Sequence, residues 1–198
     1  MTTKNSREDV VRAAGRLFAR HGYHGTSMRD LGRELGLLGS SLYAHVGGKQ
    51  ELLVEVVKRG ARLFEDAATE ALDTGIDSEQ RLAALISGHV RVVLENRDVV
   101  RTFLNEASAL DLSHRKTVLA ARDHYERHFR KVLHAGVIDG SFRSDLDPKV
   151  TAIFILSLLN TIDRWYDNQG SLSPQGLVSS IGRFVGVGIN RAVVSADL

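Results

Sequence analysis

The sequence contains no cysteine, only two prolines and a single tryptophan among its 198 residues. Because it has no cysteine, the chain can form neither a disulfide framework nor a zinc site with cysteine ligands. No apolar run approaches the roughly 18 residues that a membrane-spanning helix requires. The N-terminal stretch MTTKNSREDVV also lacks the apolar segment of a secretory signal. We therefore expect a cytoplasmic protein without a membrane span.

Motifs of the common enzyme classes are missing as well. The chain has no G-x-S-x-G, H-E-x-x-H, P-loop or G-x-G-x-x-G pattern, and no spacing places a nucleophile beside a base. His124 and His128 stand at i and i+4, the spacing of a two-histidine metal site. Four basic residues around them favour a solvated basic face, so we predict no metal and no cofactor. These residues are Arg122, Arg127, Arg130 and Lys131.

Charge is distributed unevenly along the chain. Residues 1–60 contain ten basic and six acidic side chains, which gives them a net charge of +4, while the remaining residues carry −2. A basic N-terminal segment suits a polyanionic partner at one end of the protein. The alternative interpretation is that these charges only solvate helix faces.

A short amphipathic helix is predicted after Thr26. Ser27 is a good N-cap, and Asp30 three residues later completes a shortened capping box. Leu31 and Leu35 then place apolar side chains on one face. Gly36 follows the last apolar position, where a helix commonly ends in a left-handed residue.

A second short helix follows after a tight turn. Leu42, Tyr43 and Val46 mark it, and two glycines end it. Its first turn has only small and polar residues, which allow a helix to approach base edges in the major groove. Those residues are Gly39, Ser40 and Ser41. Two short helices joined in this way predict a helix-turn-helix.

The spacing G-L-x-x-S-S-L-Y-x-H-x-x-x-K-x-E-L from Gly36 to Leu52 resembles the DNA-binding domain of the tetracycline-repressor (TetR) family. The resemblance covers roughly residues 6–55, and three positions depart from the family pattern: Leu38, Ser40 and Val46. It implies a DNA-binding domain at residues 1–50 and a ligand-binding and dimerisation domain at residues 51–198. The DNA contacts it implies, with Lys49 holding a phosphate, are Thr26, Ser27, Arg29, Gly39, Ser40, Ser41, Tyr43, His45 and Lys49.

Periodicity and capping residues predict the other helices, and no segment favours a strand. We predict an all-α fold of nine helices, with Ser78, Ser113, Asp147 and Ser173 as caps. Besides the helix-turn-helix pair, the predicted helices are 7–21, 49–72, 79–95, 98–109, 113–137, 148–166 and 174–194.

The last two helices predict a subunit contact. The helix from Val150 to Trp165 is apolar on nearly every side, so its own chain can cover only part of it. The final helix carries three glycines among apolar residues, which favours close helix–helix approach. We predict a homodimer held by a four-helix bundle. The predicted interface residues are Ile155, Leu159, Ile162, Gly182, Val185, Gly186 and Ile189.

The segments GVIDGSFRSDLDP and IDRWYDNQGSLSPQGL resemble the C-terminal half of TetR-family regulators of fatty-acid and related acyl-CoA catabolism. This resemblance implies a coenzyme A thioester as effector. His89 and Asn160 are candidates for orienting its carbonyl, although each also suits a polar role in the core. The predicted effector residues are Ile86, His89, Val93, Phe103, Leu104, Arg122, Tyr125, Phe129, Leu156, Asn160 and Trp165.

These observations predict a homodimeric repressor that binds a palindromic operator in double-stranded DNA and is released by a small effector. Two alternatives stay open at this point. An enzyme built on an all-α fold needs a clustered acid–base set, which the sequence does not display. An architectural DNA binder that responds to no ligand needs a filled body without a cavity.

Overall fold

A computed structural model describes residues 6–37, 42–44, 46–74 and 76–190. Within these ranges the chain forms helices and no strand, which confirms the predicted all-α class. A 3-10 turn at Glu106–Ala109 joins the fifth α-helix to the sixth. The α-helices are α1 (Arg7–His21), α2 (Met28–Leu35), α3 (Lys49–Thr74), α4 (Ser78–Glu95), α5 (Arg97–Asn105), α6 (Leu112–Asp139), α7 (Pro148–Leu159), α8 (Ile162–Trp165) and α9 (Pro174–Ile189).

Helix α2 begins and ends as its sequence predicts. The Ser27 hydroxyl accepts the backbone N–H of Asp30, and the Asp30 carboxylate accepts the N–H of Ser27 in return. The Ser27 hydroxyl also donates to the Asp30 carboxylate at 2.5 Å, and this bond, together with the one from the Ser27 N–H, holds the pKa of Asp30 below its ordinary value. At the other end Gly36 adopts the left-handed conformation (φ 64°, ψ 26°), and the Leu37 N–H donates to the Gly32 carbonyl.

Two of the predicted caps are wrong by one or two residues. Ser78 lies inside α4, where its hydroxyl bonds to Asp139, and the cap is Asp77, which accepts the Gln80 N–H at 2.7 Å. Asp111, rather than Ser113, caps α6 by accepting the N–H of His114 at 2.9 Å. In each case a carboxylate, which is the stronger acceptor, takes the free helix N–H.

The predicted helix 148–166 is interrupted in the structure. Helix α7 ends at Leu159, and the Thr161 hydroxyl donates to the Leu158 carbonyl at 2.9 Å before α8 begins. Asp147 caps α7 with Pro148 in its first turn, as predicted. Helix α9 ends at Ile189, and the predicted end near Val194 lies outside the described residues.

The chain divides into two compact units. The first, here called the N-terminal unit, comprises the chain up to Leu63 together with Asn96–Arg122; the second, the C-terminal unit, comprises Phe64–Glu95 and the chain from Asp123 onward. Both units are thus discontinuous in sequence, whereas the predicted domains, residues 1–50 and 51–198, are continuous. The long helices α3 and α6 each contribute residues to both units.

The core of the N-terminal unit forms where α1, α3 and α5 pack together. The Thr102 hydroxyl of α5 is fully buried and donates to the Gly15 carbonyl of α1 at 3.3 Å. A methyl group at Gly60 would lie 2.7 Å from Phe103 Cβ, so α3 and α5 approach more closely than a larger residue allows. The buried face of α1 includes Val10, Ala13, Ala14, Leu17 and Phe18.

The core of the C-terminal unit is built around α4 and the second half of α6. The side chains of Phe129, Leu133 and Phe142 are buried there. Apolar residues of α7, α8 and α9 complete it, namely Ala152, Ile155, Leu159, Ile162, Leu177, Ile181 and Val185. None of the helices described is both long and apolar enough to cross a membrane.

Candidate nucleic-acid interface and effector site

Thr26 joins α1 to α2 from within the core. Its side chain is 2% exposed, and its hydroxyl donates to the carbonyls of Gly22 at 2.9 Å and Leu17 at 3.3 Å. The hydroxyl therefore fixes the start of α2 against the end of α1. The structure gives this hydroxyl an internal role, and the DNA contact at Thr26 stays a prediction.

Lys49 has an internal role of the same kind. Its ammonium donates to the carbonyls of Tyr23 and Thr26, each at 2.9 Å, and lies 4.2 Å from the centroid of the Tyr23 ring. The Tyr23 hydroxyl in turn donates to Gln50 at 2.7 Å. Lys49 thus ties the first turn of α3 to the connection between α1 and α2. These two bonds favour an internal role for the ammonium over the phosphate contact that the resemblance implies.

Three of the predicted DNA contacts are exposed. Tyr43 is 56% exposed, and Ser27 and Arg29 lie on the surface of α2, although the Ser27 hydroxyl is engaged in the helix cap. Among the described residues no ion pair involves Arg29. Arg29 and Tyr43 are therefore the side chains available to a phosphate backbone. The other four predicted contacts, Gly39, Ser40, Ser41 and His45, lie outside the described residues.

Because Lys49 is bonded internally and Arg29 is exposed, we expect their replacement to affect stability and DNA binding differently. Lys49→Met removes two charge-assisted hydrogen bonds and should lower the free energy of unfolding by about 2 kcal/mol. It should leave the dependence of operator affinity on salt concentration unchanged. Arg29→Met should keep stability and lower the slope of log K against log[salt] by about one unit. Urea denaturation and salt-dependent binding measure both quantities.

Lys58→Met is the matched control for that comparison. Lys58 lies on the same helix α3, where it forms an exposed pair with Glu55 at 3.7 Å. Its replacement should change the free energy of unfolding by less than about 0.5 kcal/mol. A Lys49→Met variant with unchanged stability and a slope lowered by one unit would contradict the internal role.

The C-terminal unit buries a histidine among aromatic rings. His89 is 1% exposed, and its ring centroid lies 4.7 Å from that of Phe64 and 5.8 Å from that of Tyr125. Burial lowers the pKa of His89 to about 3, so its imidazole is neutral at pH 7. Its Nδ1 lies 3.1 Å from the Tyr125 hydroxyl.

The other ring nitrogen of His89 lacks a partner in the part of the chain that the structure describes. Burial raises the pKa of Tyr125 far above its usual range, so the phenol keeps its proton and can donate it to Nδ1. The single proton of the neutral imidazole then resides on Nε2. A buried donor without an acceptor costs about 1–3 kcal/mol, which makes Nε2 a ready contact for a ligand oxygen.

The predicted effector residues are distributed over both units. Around His89, the C-terminal unit buries four of them: Ile86, Val93, Tyr125 and Phe129. Leu156 and Asn160 are half-buried, and Trp165 is 52% exposed. The remaining three, Phe103, Leu104 and Arg122, belong to the N-terminal unit.

Arg122 forms hydrogen bonds to the C-terminal end of α5. Its guanidinium donates to the carbonyls of Phe103 and Leu104 and lies 4.9 Å from the centroid of the Phe103 ring. These carbonyls are in the last turn of a helix, where no intrahelical donor reaches them. Burial lowers the pKa of Arg122. One terminal nitrogen of the guanidinium is thus used by the end of α5, whereas its Nε has no partner in the described part of the chain, and the effector role of Arg122 stays a prediction.

An apolar groove of about 570 Å³ lies between α7 and α9. Phe154 on α7 is 68% exposed there, and Phe184 and Val187 on α9 are 72% and 86% exposed. Exposed aromatic and aliphatic side chains that share one groove are typical of an interaction surface. Val150 and Leu158 continue the apolar lining.

Three of the predicted interface residues, Ile155, Val185 and Ile189, line this groove, although most of their surface is buried in their own chain. Five of the seven are buried against their own chain, so little of their surface is left for a partner: Ile155, Leu159, Ile162, Val185 and Ile189. Gly182 is exposed and Gly186 is half-buried. A helix that is apolar all round does not reveal from its sequence which side faces its own core. The groove residues whose side chains are mostly exposed are Phe154, Phe184 and Val187.

The chain matches two family models. Residues 10–56 match the model described as bacterial regulatory proteins, tetR family, and residues 75–189 match that described as tetracyclin repressor-like, C-terminal domain. The chain therefore belongs to the tetR family of bacterial regulatory proteins. It is a DNA-binding transcriptional regulator and not an enzyme.

Known proteins resemble the chain over most of its length. The HTH-type transcriptional repressor KstR2 of Rhodococcus jostii is 29% identical over 84% of this chain and 82% of its own. The TetR-family regulator PfmR from Thermus thermophilus is 30% identical, with a TM-score of 0.82 over 89% of this chain and 96% of its own. The regulator AibR, solved with isovaleryl coenzyme A and operator DNA, shares the fold at 24% identity, with a TM-score of 0.82 over 91% and 96%.

Proposed function

We propose that the protein is a homodimeric repressor that leaves a palindromic operator when it binds a small effector, with an acyl-CoA thioester as the leading candidate. The observation that carries the effector proposal is the buried His89 with its unpaired Nε2 among aromatic rings. The similarity to KstR2, which is named a repressor, supports the proposed repression, and the isovaleryl coenzyme A bound to AibR supports the proposed effector class.

The environment of His89 suits a ligand that combines an apolar chain with one acceptor oxygen. Phe64, Tyr125 and neighbouring aliphatic residues provide the apolar contacts. A hydrogen-bond relay from the Tyr125 hydroxyl to Nδ1 and from Nε2–H to the ligand satisfies every donor. A thioester carbonyl is a neutral acceptor and fits this relay. A free carboxylate is charged at pH 7, and its burial without a cation is costly.

The phosphates of coenzyme A need cations at the entrance to such a site. Arg127, Arg130 and Lys131 on α6 stay candidates for that contact. Arg122 is a weaker candidate, because its guanidinium donates to the end of α5.

Dimerisation supplies the second DNA-binding domain that a palindromic operator requires. The groove between α7 and α9 has the apolar character that suits the same two helices of a second copy, which would form a four-helix bundle. Two recognition helices about 34–36 Å apart then read the half-sites of a palindrome. A single chain supplies only one half of those contacts.

Helix α3 contributes both to the DNA-binding segment and to the surroundings of His89, so we expect it to couple effector binding to operator binding. Lys49 in its first turn holds the carbonyls that connect α1 and α2, and Phe64 on the same helix packs against His89. A ligand at His89 that displaces Phe64 acts on a rigid element of the DNA-binding segment. Release requires the ligand to bind the displaced arrangement more tightly than the operator-bound one.

The test is operator release measured by fluorescence anisotropy. Isovaleryl-CoA and longer acyl-CoA thioesters should release labelled operator at concentrations at which the free acids and coenzyme A alone do not. Equal release by acid and thioester would contradict the effector class. Retention of the operator with every ligand would favour a ligand-independent DNA binder.

A double variant tests the proposed hydrogen bond between His89 and the effector. His89→Leu with Tyr125→Phe removes both polar partners together, so no buried group loses its hydrogen bond and the fold should be retained. This variant should bind operator like the wild type and need about tenfold to a hundredfold more effector for release. His134→Leu, an exposed histidine on α6, is the matched control and should respond like the wild type.

A further inference from the structure

Two helices bring a carboxylate and two imidazoles together in the C-terminal unit. Glu65 lies on α3, and His124 and His128 lie one turn apart on α6. Glu65 Oε1 is 3.1 Å from His124 Nε2 and 2.9 Å from His128 Nε2. One ligand atom from each residue lies within 4.8 Å of the others. The effector proposal uses none of these three side chains.

We propose that Glu65, His124 and His128 bind a divalent transition-metal ion, with Zn²⁺ as the preferred ion. Two imidazole nitrogens and one carboxylate oxygen are a common zinc ligand set, with water in the remaining position. Imidazole ligands favour zinc, copper, nickel and cobalt ions over calcium and magnesium, which bind oxygen.

Two of the three distances between ligand atoms are close to those of a tetrahedral zinc site. Zinc bonds of about 2.0–2.1 Å place neighbouring ligand atoms about 3.3 Å apart. The two nitrogen–oxygen distances, 2.9 and 3.1 Å, need only a small opening to reach that value. Both imidazoles direct Nε2 toward the same carboxylate oxygen, so the three groups already converge. The side chain of His128 is 15% exposed and that of His124 is 52% exposed, so an ion can enter from solvent.

In the absence of metal the same residues form a hydrogen-bonded cluster. The rings of His124 and His128 meet edge to face at 89° with centroids 5.0 Å apart. The Glu65 oxygen then accepts a hydrogen bond from each Nε2–H. A metal ion takes the place of these two protons and links α3 to α6 through bonds stronger than the hydrogen bonds they replace.

Arg127 opposes metal binding in a specific way. Its guanidinium lies 3.0 Å from His124 Nδ1, and arginine is always a donor. It therefore keeps Nδ1 unprotonated, which leaves the proton of a neutral ring on Nε2, the atom that has to ligate. Its positive charge also repels a cation. We infer that Arg127→Gln increases metal affinity, an effect that a purely structural cluster does not predict.

The experiment uses the full chain without an affinity tag, stripped of metal by a chelator. Calorimetry with Zn²⁺ should show one ion per chain, and Co²⁺ should give visible absorption bands and shift the ring protons of two histidines in NMR spectra. Glu65→Gln and His128→Gln should each weaken binding at least tenfold. Arg127→Gln should strengthen it severalfold.

His134→Gln and His114→Gln are the controls. His134 is exposed on the same helix, and His114 pairs with Asp111 at 2.6 Å, which makes it a separate imidazole–carboxylate pair. Both variants should bind metal like the wild type. Absence of stoichiometric binding, or loss of binding with either control, would overturn the proposal. If a cluster variant fails to fold, the Co²⁺ shifts in the wild type and the affinity of Arg127→Gln still decide it.

Discussion

Phe154→Asp is expected to convert the protein to a monomer and to lower its affinity for a palindromic operator at least a hundredfold. Phe154 lies in the groove between α7 and α9 and is 68% exposed in the single chain, so the change should leave the fold intact. In a dimer the aspartate would be a buried charge without a partner. A monomer has only one DNA-binding domain, so it loses the gain in affinity of about 10²–10⁴ that comes from binding both half-sites at once. Sedimentation velocity and operator titration measure both effects.

Ile138→Asp is the matched control for this change. Ile138 is also an exposed apolar residue on a helix, 74% exposed, but it does not line the groove. Its variant should remain dimeric and bind the operator. A wild type that sediments as a monomer at micromolar concentration, yet binds operator tightly, would contradict the dimer proposal.

Gly182→Leu separates a contact with a second copy from a contact within the chain. A methyl group at Gly182 would meet no atom within 4 Å in its own chain. Leucine also favours a helix by nearly 1 kcal/mol relative to glycine, so the single chain should not lose stability. A shift toward monomer in this variant therefore reports crowding between two copies. An unchanged dimer with unchanged operator binding would place the interface away from Gly182.

The second large effect is a loss of stability in mild acid that depends on His89. Burial lowers the pKa of His89 to about 3, whereas the unfolded chain has the ordinary value of 6.5. Between these values the unfolded state binds a proton that the folded state does not, so stability falls as pH decreases. The contribution of His89 is complete above pH 6.5 and declines by about 1.4 kcal/mol per pH unit below it. At pH 4.5 the loss amounts to about 2.7 kcal/mol.

His89→Gln isolates this contribution, because glutamine does not titrate and can still bond to Tyr125. Urea denaturation at pH 7, 6, 5 and 4.5 should show a steep decline for the wild type and a shallow one for the variant. The capping aspartates, whose pKa values are lowered, lose their contribution below about pH 4 and do not interfere. Parallel declines in the two proteins would show that His89 is accessible to protons in the folded state.

Local sequence features predicted the helices well, because helix caps depend on neighbouring residues. Ser27 with Asp30 and Asp147 with Pro148 cap helices as predicted. The errors at Ser78 and Ser113 arose where an aspartate one or two residues earlier was the stronger acceptor. Competition between adjacent caps is harder to judge from composition than the presence of a cap.

The roles of the cations could not be predicted from sequence. Lys49 and Arg122 both donate to backbone carbonyls, which every residue carries and which leave no trace in a side-chain pattern. Glu65 joins His124 from 59 positions away, so the i, i+4 histidines alone did not reveal the cluster. In each case the partner becomes visible only when the helices are packed.

The central claim is that effector binding and operator binding exclude one another, and calorimetry tests it most directly. Acyl-CoA should be titrated into the free protein and into the saturated operator complex. Because coupling between two sites is reciprocal, the effector must bind the complex more weakly by the same factor by which it weakens operator binding. We expect a factor of at least about ten, within the usual range of such couplings. Equal effector affinities for the free protein and the operator complex would contradict it.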